Sequence, residues 1–280
     1  MIRGRPVKYA GVWAVATEPK YRRNGLVRGL FDLALPEMHR KGAVLSILDP
    51  FYRPFYEKFD YALAERRLKH VFTRDQLKAV TGTPGITSRE SINIENDVNA
   101  IMEIERSMAR FGSRCFLNRE ALPEVAKQGQ LYILERGNEP VGTVSFSFSD
   151  ARPGYNLTVG LTRFKYDEVI PSIIELVHNQ SVNVKQVTWW TEMAYPFRHF
   201  LADIYRADTF QIGSMMMRVI DFEGYCRSIR VPASAADSLT VEIADRLCPW
   251  NSGVYSLNPD GGVLGCDRVS SPPDLTLSAF

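Results

Sequence analysis

Residues 11–61 constrain the fold most, because they place a strand, a basic glycine turn, an amphipathic helix and a second strand in immediate succession. The pattern predicts a first strand over Gly11–Thr17, which ends before Pro19 because proline has no N–H to donate to a neighbouring strand. A helix is predicted over Gly25–Lys41. Its apolar side chains recur at helical spacing, at Leu26, Leu30, Leu33, Ala34 and Met38.

The turn that opens this helix is strongly basic. Arg22 and Arg23 precede Asn24 and Gly25, two residue types that adopt positive φ readily. Such a helix start presents backbone N–H groups and positive charge together, a combination that binds phosphate. Lys20 and Arg28 add further charge to the same place. The order of strand, glycine turn and helix therefore indicates a nucleotide-cofactor site.

The segments after the turn continue the unit. Pro36 lies well inside the predicted helix, where proline costs roughly 3 kcal/mol or more, so we expect a bend there. The nearly continuous apolar run Ala43–Asp49 is typical of a parallel strand covered on both faces. A short helical turn is predicted over Phe55–Phe59, and it would bring Tyr56 back toward the strand ends.

Length and composition exclude several classes of protein. The chain has 280 residues, which suggests two or three domains, and it is 45% hydrophobic and 11% aromatic, enough for folded cores. Its net charge is only +2, whereas a nucleic-acid binder more often has a strongly basic face. The clustered basic residues instead follow the pattern of a site for a small anion.

Metal and membrane functions are also disfavoured. Cys115, Cys226, Cys248 and Cys266 are scattered without Cys-x-x-Cys spacing, so we predict no zinc or other metal site. The first residues contain no apolar signal-peptide core, and no apolar run approaches the length of a bilayer span. We therefore predict a reduced, cytoplasmic protein with no membrane association.

The remaining chain reads as alternating strands and helices. A second α/β unit is predicted from a strand at 66–72, a helix at 96–110, a β-hairpin over 131–148, a helix at 166–179 with Pro171 as its alternative start, a strand at 186–191 and a closing strand at 213–219. The last stretch is predicted to hold strands at 238–243, 253–257 and 263–269.

The residues 14–28 resemble the acetyl-CoA motif of the GNAT superfamily of N-acetyltransferases, Arg/Gln-x-x-Gly-x-Gly/Ala. Arg22 and Gly25 take the first and second defined positions, while Val27 replaces the last glycine or alanine. Together with Phe55-Tyr-Glu-Lys-Phe-Asp-Tyr61, the motif is more similar to the enhanced-intracellular-survival (Eis) group of that family. The two segments occur in the family's order, separated by one helix and one strand.

The resemblance implies acetyl-CoA as co-substrate. Its pyrophosphate would bind the backbone N–H groups between Arg23 and Arg28, and main-chain groups of Val15 and Thr17 would face the cofactor where the strand end splays. Phe51 and Tyr52 match the stretch that borders the thioester. The implied cofactor-binding set is Val15, Ala16, Thr17, Arg22, Arg23, Asn24, Gly25, Leu26, Val27, Arg28, Phe51 and Tyr52.

Two residues are implied as catalytic. Tyr56 stands where the family places a tyrosine, and a phenol with a pKa of about 10 can protonate a departing thiolate. The alternative is a packing role among the neighbouring aromatic side chains. In the Eis group the general base is the carboxylate of a C-terminal phenylalanine, and this chain ends in Phe280. The alternative is that 275–280 matches the interior of a C-terminal domain and the phenylalanine is there by accident.

The resemblance predicts an α+β (α/β) fold of tandem GNAT-like mixed-sheet domains. Residues 1–65 would be the C-terminal half of a catalytic GNAT domain, since the family normally places further strands and helices before this cofactor strand. Either that domain is truncated, or the true start lies upstream, or a partner supplies the missing half. Residues 66–220 would form a degenerate second GNAT-like domain that lacks the motif, and residues 221–280 part of a sterol-carrier-protein-like domain.

The predicted function is transfer of an acetyl group from acetyl-CoA to a primary amine by direct attack. The amine would belong to a small molecule such as an aminoglycoside, or to a peptide lysine, and the family forms homo-oligomers. The first alternative is a non-catalytic binding or assembly module that retains the fold. The second is a site for another phosphate ligand, such as a nucleotide or an RNA end.

Overall fold

The computed structural model describes residues 5–108, 129–160, 162–193, 197–203, 206–213 and 215–278. The chain divides into two compact units. The first combines Met1–Glu65 with Gly213–Phe280, and the second is Arg66–Ile212. This division is based on which residues contact each other and does not assign either unit to a family. The predicted division into three domains, at 65/66 and 220/221, therefore stays a prediction.

Five α-helices occur in the described residues. They are α1 (Leu26–Arg40), α2 (Arg53–Glu57), α3 (Ile94–Met108), α4 (Ile170–Gln180) and α5 (Phe222–Ser228). No helix in these ranges has both the length and the apolar composition needed to cross a bilayer.

Sixteen strands accompany them in the described residues. They are β1 (Tyr9–Gly11), β2 (Leu45–Leu48), β3 (Ala62–Leu63), β4 (Arg66–Phe72), β5 (Ile86–Glu90), β6 (Gln130–Arg136), β7 (Glu139–Asp150), β8 (Tyr155–Val159), β9 (Arg163–Phe164), β10 (Val184–Glu192), β11 (Asp208–Gly213), β12 (Met216–Val219), β13 (Leu239–Ala244), β14 (Gly253–Asp260), β15 (Val263–Val269) and β16 (Leu275–Ser278).

The first unit contains a four-stranded mixed sheet of order β1-β2-β12-β3. Strand β1 is parallel to β2, and β12 is antiparallel to both β2 and β3. All four residues of β2 are buried, as its apolar run predicted. Helix α1 packs Phe31 and Leu35 into the core beside this sheet. The predicted apolar face is wrong in part, because Leu26, Leu30 and Leu33 of that set are 51%, 60% and 75% exposed.

The predicted strand over Gly11–Thr17 is wrong beyond Gly11. Strand β1 is Tyr9–Gly11, and the last bond to its neighbour runs from Val12 N to Ile47 O at 2.9 Å. Ala14 has φ 55°, a left-handed conformation that does not continue a strand. Strand β2 itself ends at Leu48, just before Asp49 and Pro50, so the residues after Val12 have no strand beside them.

The predicted closing strand of the second unit is also corrected. The segment 213–219 divides between two sheets: β11 ends at Gly213 in the second unit's sheet, and β12 pairs with Leu45–Leu48 in the first. Alternate burial along Met216–Val219 identifies a strand, but this pattern does not say which sheet the strand joins.

The end of the chain forms a second sheet in the first unit, of order β15-β14-β13-β16. The three strands predicted here from alternation are present as β13, β14 and β15. Helix α5 contributes Cys226 to a small core with Val241, Tyr255 and Cys266. The sterol-carrier-like assignment of this segment stays a prediction.

The second unit is built on a mixed sheet of order β11-β4-β10-β8-β7-β6-β5, with β9 paired to β7. Strands β8 and β10 run parallel, and the predicted β6–β7 hairpin is confirmed as an antiparallel pair. Helix α4 starts at Ile170 after a single 3₁₀ turn, Asp167–Val169, which places Pro171 in the first turn, where proline is tolerated. Trp189 and Ile173 are completely buried in the core of this unit.

Candidate functional site

The segment between β1 and α1 begins with main chain that leaves the sheet. For Ala14, Val15 and Ala16, no backbone hydrogen bond joins them to another described residue. The Thr17 carbonyl, in contrast, accepts a hydrogen bond from Arg22 Nε at 3.2 Å. The predicted splayed strand end therefore leaves the backbone of Val15 available to a ligand, while the Thr17 oxygen is already engaged by the turn.

The basic turn then leads into α1 through two left-handed residues. Arg23 has φ 66° and Gly25, the residue before the helix, has φ 74°. The sequence predicted positive φ at Asn24 and Gly25; the structure has it at Arg23 and Gly25. Alternating backbone conformations of this kind turn successive N–H groups toward one point, which forms a concave anion site.

The first amides of α1 are not capped by the protein. No side chain in the described ranges accepts a hydrogen bond at this helix start, and the first carbonyl used inside the helix is that of Gly25, which accepts from Gly29 N at 3.0 Å. A helix of this length carries partial positive charge at its N-terminus. The position combines free N–H groups with a positive electrostatic potential, as bound phosphate requires.

A cavity of about 790 Å³ opens at this helix start. Main chain and side chains of the turn form one part of its wall, and aromatic residues from and around α2 form another. Its lining residues are Val15, Ala16, Thr17, Tyr21, Arg22, Arg23, Gly25, Leu26, Val27, Arg28, Phe51, Phe55, Lys58 and Phe59.

The charge of this lining has one sign. Arg22, Arg23, Arg28 and Lys58 line the cavity, and no aspartate or glutamate does. None of these four cations forms an ion pair with a described residue, although Lys20 nearby in sequence pairs with Glu18 at 3.2 Å. Unpaired cations gathered around one cavity create a field that attracts a polyanion.

The aromatic wall comes from residues spaced by four positions. Phe51, Phe55 and Phe59 line the cavity, and consecutive rings in this series lie 5.4 and 5.7 Å apart between centroids. The Arg28 guanidinium lies over the Phe59 ring at 5.7 Å, so one wall joins an aromatic face to a cation. Phe59 is anchored in turn by stacking on Phe31 of α1 at 4.3 Å.

Tyr56 lies directly behind this wall. It is 4% exposed, and its ring contacts Phe55 and Phe51 edge to face, with centroids 5.1 and 5.6 Å apart. Its hydroxyl has no hydrogen-bond partner among the described residues. The oxygen is also absent from the buried, unpartnered polar atoms of those residues, so it is still accessible to solvent. Burial raises the pKa of the Tyr56 phenol above 10, which keeps it protonated at neutral pH.

The structure brings most of the sequence-predicted residues to one cavity. Those at its surface are Val15, Ala16, Thr17, Arg22, Arg23, Gly25, Leu26, Val27, Arg28 and Phe51. Asn24 and Tyr52 do not line the cavity, and Tyr56 lies behind its aromatic wall. Phe280, the predicted base, lies outside the described residues, as does Cys115.

Four lining residues were not predicted: Tyr21, Phe55, Lys58 and Phe59. The four-residue spacing of Phe51, Phe55 and Phe59 is a helical-face signal that the sequence offered. Lys58 had no such signal, because its direction depends on how the short helix α2 is rotated. In the described ranges, no group of three or more histidine, cysteine, aspartate or glutamate side chains could hold a metal ion.

Comparisons with known proteins match the part of the chain that holds this cavity. The family model of the acetyltransferase (GNAT) domain matches residues 1–64, the part of the chain that holds the whole cavity lining. A Streptomyces coelicolor protein named as an uncharacterized N-acetyltransferase is 24% identical over 303 residues, which cover 98% of this chain and 70% of that protein. A protein of the same name from Streptomyces avermitilis is also 24% identical, over 98% of this chain and 71% of its own length.

Solved structures have the same fold. A GCN5-related N-acetyltransferase from Anabaena variabilis superposes with a TM-score of 0.88 at 18% identity, over 99% of this chain and 72% of that one. Eis1 from Mycobacterium abscessus superposes with a TM-score of 0.79 at 17% identity, over 99% and 72%. The predicted α+β fold with GNAT-like mixed sheets is thereby confirmed.

Proposed function

We propose that this chain, which carries a domain of the GNAT acetyltransferase superfamily in residues 1–64, is an acetyl-CoA-dependent N-acetyltransferase of the Eis-like type. It transfers the acetyl group to a primary amine of a small molecule or of a peptide lysine, by direct attack of the amine. The proposal includes a cytoplasmic location and a homo-oligomeric state.

One observation carries the proposal: the cavity at the start of α1 is lined by four cations and no carboxylate, and it adjoins uncapped helix amides. Coenzyme A carries a pyrophosphate and a further phosphate, so it requires several positive groups around one cavity. The amides from Arg23 to Arg28 suit the pyrophosphate, because N–H groups at a helix N-terminus bind phosphate oxygens. The residues present therefore fit acetyl-CoA.

The acetyl thioester supplies the reactive carbonyl when it is bound. In the transfer, a bond forms between the amine nitrogen and the carbonyl carbon, the carbon–sulfur bond breaks, the amine loses a proton and the thiolate gains one. The protein's part is to orient both groups and to hold protons at fixed atoms. The free main chain of Val15 and Ala16 suits the pantetheine and thioester end.

Tyr56 is the proposed general acid. Its phenol stays protonated at neutral pH because burial raises its pKa, and its hydroxyl is committed to no described partner. A proton held at such an oxygen is available to a departing thiolate. The carboxylate of Phe280 stays the proposed general base.

Two measurements on the whole chain test this function. Calorimetric titration compares acetyl-CoA with ATP, a phosphate ligand that has no thioester. Release of free thiol is then followed with a panel of primary amines, for wild type, Tyr56→Phe, Arg23→Ala and a variant that lacks Phe280. Binding of acetyl-CoA with turnover supports the proposal, and a loss of turnover without Phe280 supports that residue as base.

The alternatives give different results. Acetyl-CoA binding without turnover on any amine would make the chain a binding or assembly module that retains the fold. Tighter binding of ATP than of acetyl-CoA would favour another phosphate ligand. Absence of acetyl-CoA binding at millimolar concentration would refute the proposed function.

A further inference from the structure

Tyr56 is held only indirectly. Its hydroxyl has no described hydrogen-bond partner, so the direction of the phenol depends on the packing of its ring and on the helix that carries it. That helix, α2, has only five residues and no side-chain cap at its N-terminus. A helix this short is not stable through its own hydrogen bonds, so contacts from elsewhere must fix its position.

One buried side chain supplies such a contact at the other end of α2. Arg218, on strand β12, donates from Nη1 to the carbonyl of Phe59 at 2.9 Å. The same Nη1 lies 3.0 Å from Asp60 Oδ2, an ion pair whose alignment falls short of a hydrogen bond. Asp60 has φ 59°, the left-handed conformation that commonly turns the chain away from a helix end. Arg218 therefore holds the point where the chain leaves α2.

The opposite side of the guanidinium is anchored just as firmly. Arg218 Nη2 donates to Asp245 Oδ1 at 2.6 Å. The Asp245 carboxylate is itself fixed, because Oδ1 also accepts from Leu247 N at 3.1 Å and Cys248 N at 2.8 Å, and Oδ2 accepts from Asn251 Nδ2 at 3.1 Å. A turn near the end of the chain thus determines where the Arg218 side chain lies.

The stability of the fold does not by itself explain why this cluster is charged. Arg218 and both carboxylates are nearly sealed, with side chains 2%, 6% and 7% exposed. The Nε atom of Arg218 is buried without a partner. Apolar side chains of similar volume often replace such buried ion clusters without loss of stability. A fixed geometry at the end of α2 is what the guanidinium supplies and an apolar side chain does not.

We propose that Arg218 is a positioning residue for the Tyr56 phenol, with Asp245 as its anchor and Phe59 and Asp60 as its points of contact in the turn that follows α2. The inference rests on the proposed function, in which Tyr56 is the acid. If so, two residues from the last third of the chain, Arg218 and Asp245, contribute to a reaction whose proposed acid lies in residues 1–64. The effect passes through the backbone, because Tyr56 lies only three residues before Phe59.

The test replaces the whole charged cluster, so that no carboxylate is left buried and unpaired. The variant is Asp60→Asn/Arg218→Met/Asp245→Asn, and its matched control is Arg163→Met/Glu105→Gln. The control removes another buried ion pair, at 3.0 Å and 12% and 4% exposed, within the second unit. Circular dichroism checks that both fold, and Asp245→Asn alone takes the place of the triple variant if that protein does not fold.

The first measurement does not depend on activity. 3-Fluorotyrosine is placed at position 56, and its ¹⁹F resonance is recorded in each protein. We expect a single sharp line in wild type and control, and a displaced, broadened or divided line in the cluster variant. A line unchanged from wild type in the cluster variant, or an equal change in the control, would overturn the inference.

The second measurement separates positioning from general damage. We expect kcat to fall by about 100-fold in the cluster variant, the size of effect that a misplacement of about 1 Å produces. The KM for acetyl-CoA should rise by no more than about 10-fold, because the cluster residues do not line the cavity themselves, although Phe55, Lys58 and Phe59 of the segment they hold do. In a Tyr56→Phe background the same substitutions should have no further effect on kcat, since residues that act through one group are not additive.

The two proposals can fail separately. A wild-type protein without turnover refutes the proposed function, while the ¹⁹F result still decides whether Arg218 fixes residue 56. A fall in kcat that is equally large in the Tyr56→Phe background would show that Arg218 acts elsewhere, and it would overturn the inference while leaving the transferase assignment intact.

Discussion

The rings of Phe51 and Tyr56 meet edge to face, with centroids 5.6 Å apart. Phe51 is 71% exposed and lines the cavity, whereas Tyr56 is 4% exposed. In this pair, an exposed aromatic ring in the cavity wall contacts a tyrosine whose ring is buried and whose hydroxyl has no hydrogen-bond partner among the described residues. This arrangement suits an acid that must stay protonated until a leaving group approaches it.

Tyr56→Phe should therefore remove catalysis and little else. We expect kcat to fall between about 10² and 10⁴-fold, the usual contribution of a positioned general acid. The free energy of unfolding should change by less than about 1 kcal/mol, because the hydroxyl gives up no hydrogen bond within the described residues. Thiol release under steady-state conditions and urea denaturation measure the two quantities.

The control for that substitution is Tyr52→Phe. Tyr52 is 60% exposed and does not line the cavity, so its hydroxyl should be dispensable for kcat. Equal losses in the two variants would mean that tyrosine hydroxyls near α2 matter only for the local fold, and Tyr56 would lose its role as acid.

Alkaline stability should depend on Tyr61. Its hydroxyl lies 2.6 Å from Ser46 Oγ in the core, and burial raises its pKa to about 12. A pKa that is higher in the folded state than in the unfolded state favours folding below the unfolded value of about 10, and this advantage is lost as pH rises toward 12. The difference corresponds to roughly 3 kcal/mol.

We expect the free energy of unfolding of wild type to fall more steeply between pH 10 and 12 than that of Tyr61→Phe. At neutral pH the variant should be less stable by about 1 to 2 kcal/mol, because Ser46 loses its partner. Urea denaturation of both proteins across this pH range gives the comparison. Parallel curves would show that Tyr61 is not the group whose ionisation opposes folding.

The sequence predicted the parts of this site that depend on local patterns. Helix α1 was expected over Gly25–Lys41 and runs Leu26–Arg40, because helical periodicity and a glycine start are properties of neighbouring residues. Its buried face, with Phe31 and Leu35, was not predicted, because it depends on the sheet against which the helix packs. The end of strand β1 is determined instead by where its partner strand β2 ends. The apolar pattern of residues 11–17 could not show that the backbone becomes left-handed at Ala14.

The contacts that hold Tyr56 in place could not be predicted from the sequence either, because they too depend on residues that are distant along the chain. Arg218 bonds to the Phe59 carbonyl across 159 positions of sequence, and it lies in a strand that reads as apolar. Nothing local distinguishes it from the exposed basic residues of the chain. Its significance appears only when β12 pairs with β2 in the first sheet rather than closing the second.

Lys58 should contribute to cofactor affinity, although no local pattern predicted that it lines the cavity. Lys58→Gln removes one of four unpaired cations that line the cavity, and we expect the dissociation constant of acetyl-CoA to rise about 10-fold, equivalent to about 1.4 kcal/mol. Calorimetry measures the change, which should shrink as salt is added, because exposed charges are screened.

Lys20→Gln is the matched control for Lys58. Lys20 is also a lysine beside the turn, but it pairs with Glu18 at 3.2 Å and does not line the cavity. Its substitution should leave affinity within about twofold. A similar loss in both variants would assign the attraction to the net charge of the region rather than to the four lining cations.

Gly25, just before α1, and Gly29, inside it, should respond to alanine in opposite directions. Gly25 has φ 74° before the first turn of α1, and an added Cβ would meet no atom within 4 Å, so backbone strain is the only obstacle. Gly25→Ala should cost about 1 to 2 kcal/mol, the price of a left-handed conformation. It should also weaken acetyl-CoA binding, because relief of the strain would turn the N–H groups away from the cavity.

Gly29 is the matched position inside the helix. Its Cβ would also meet open space, and its φ is not in the left-handed range, so Gly29→Ala should stabilise the protein by roughly 0.5 to 1 kcal/mol. Thermal denaturation and calorimetry with acetyl-CoA on both variants test the pair. Equal stabilities would mean that the conformation of residue 25 is not strained for alanine, and unchanged affinity in Gly25→Ala would separate the turn from the bound phosphate.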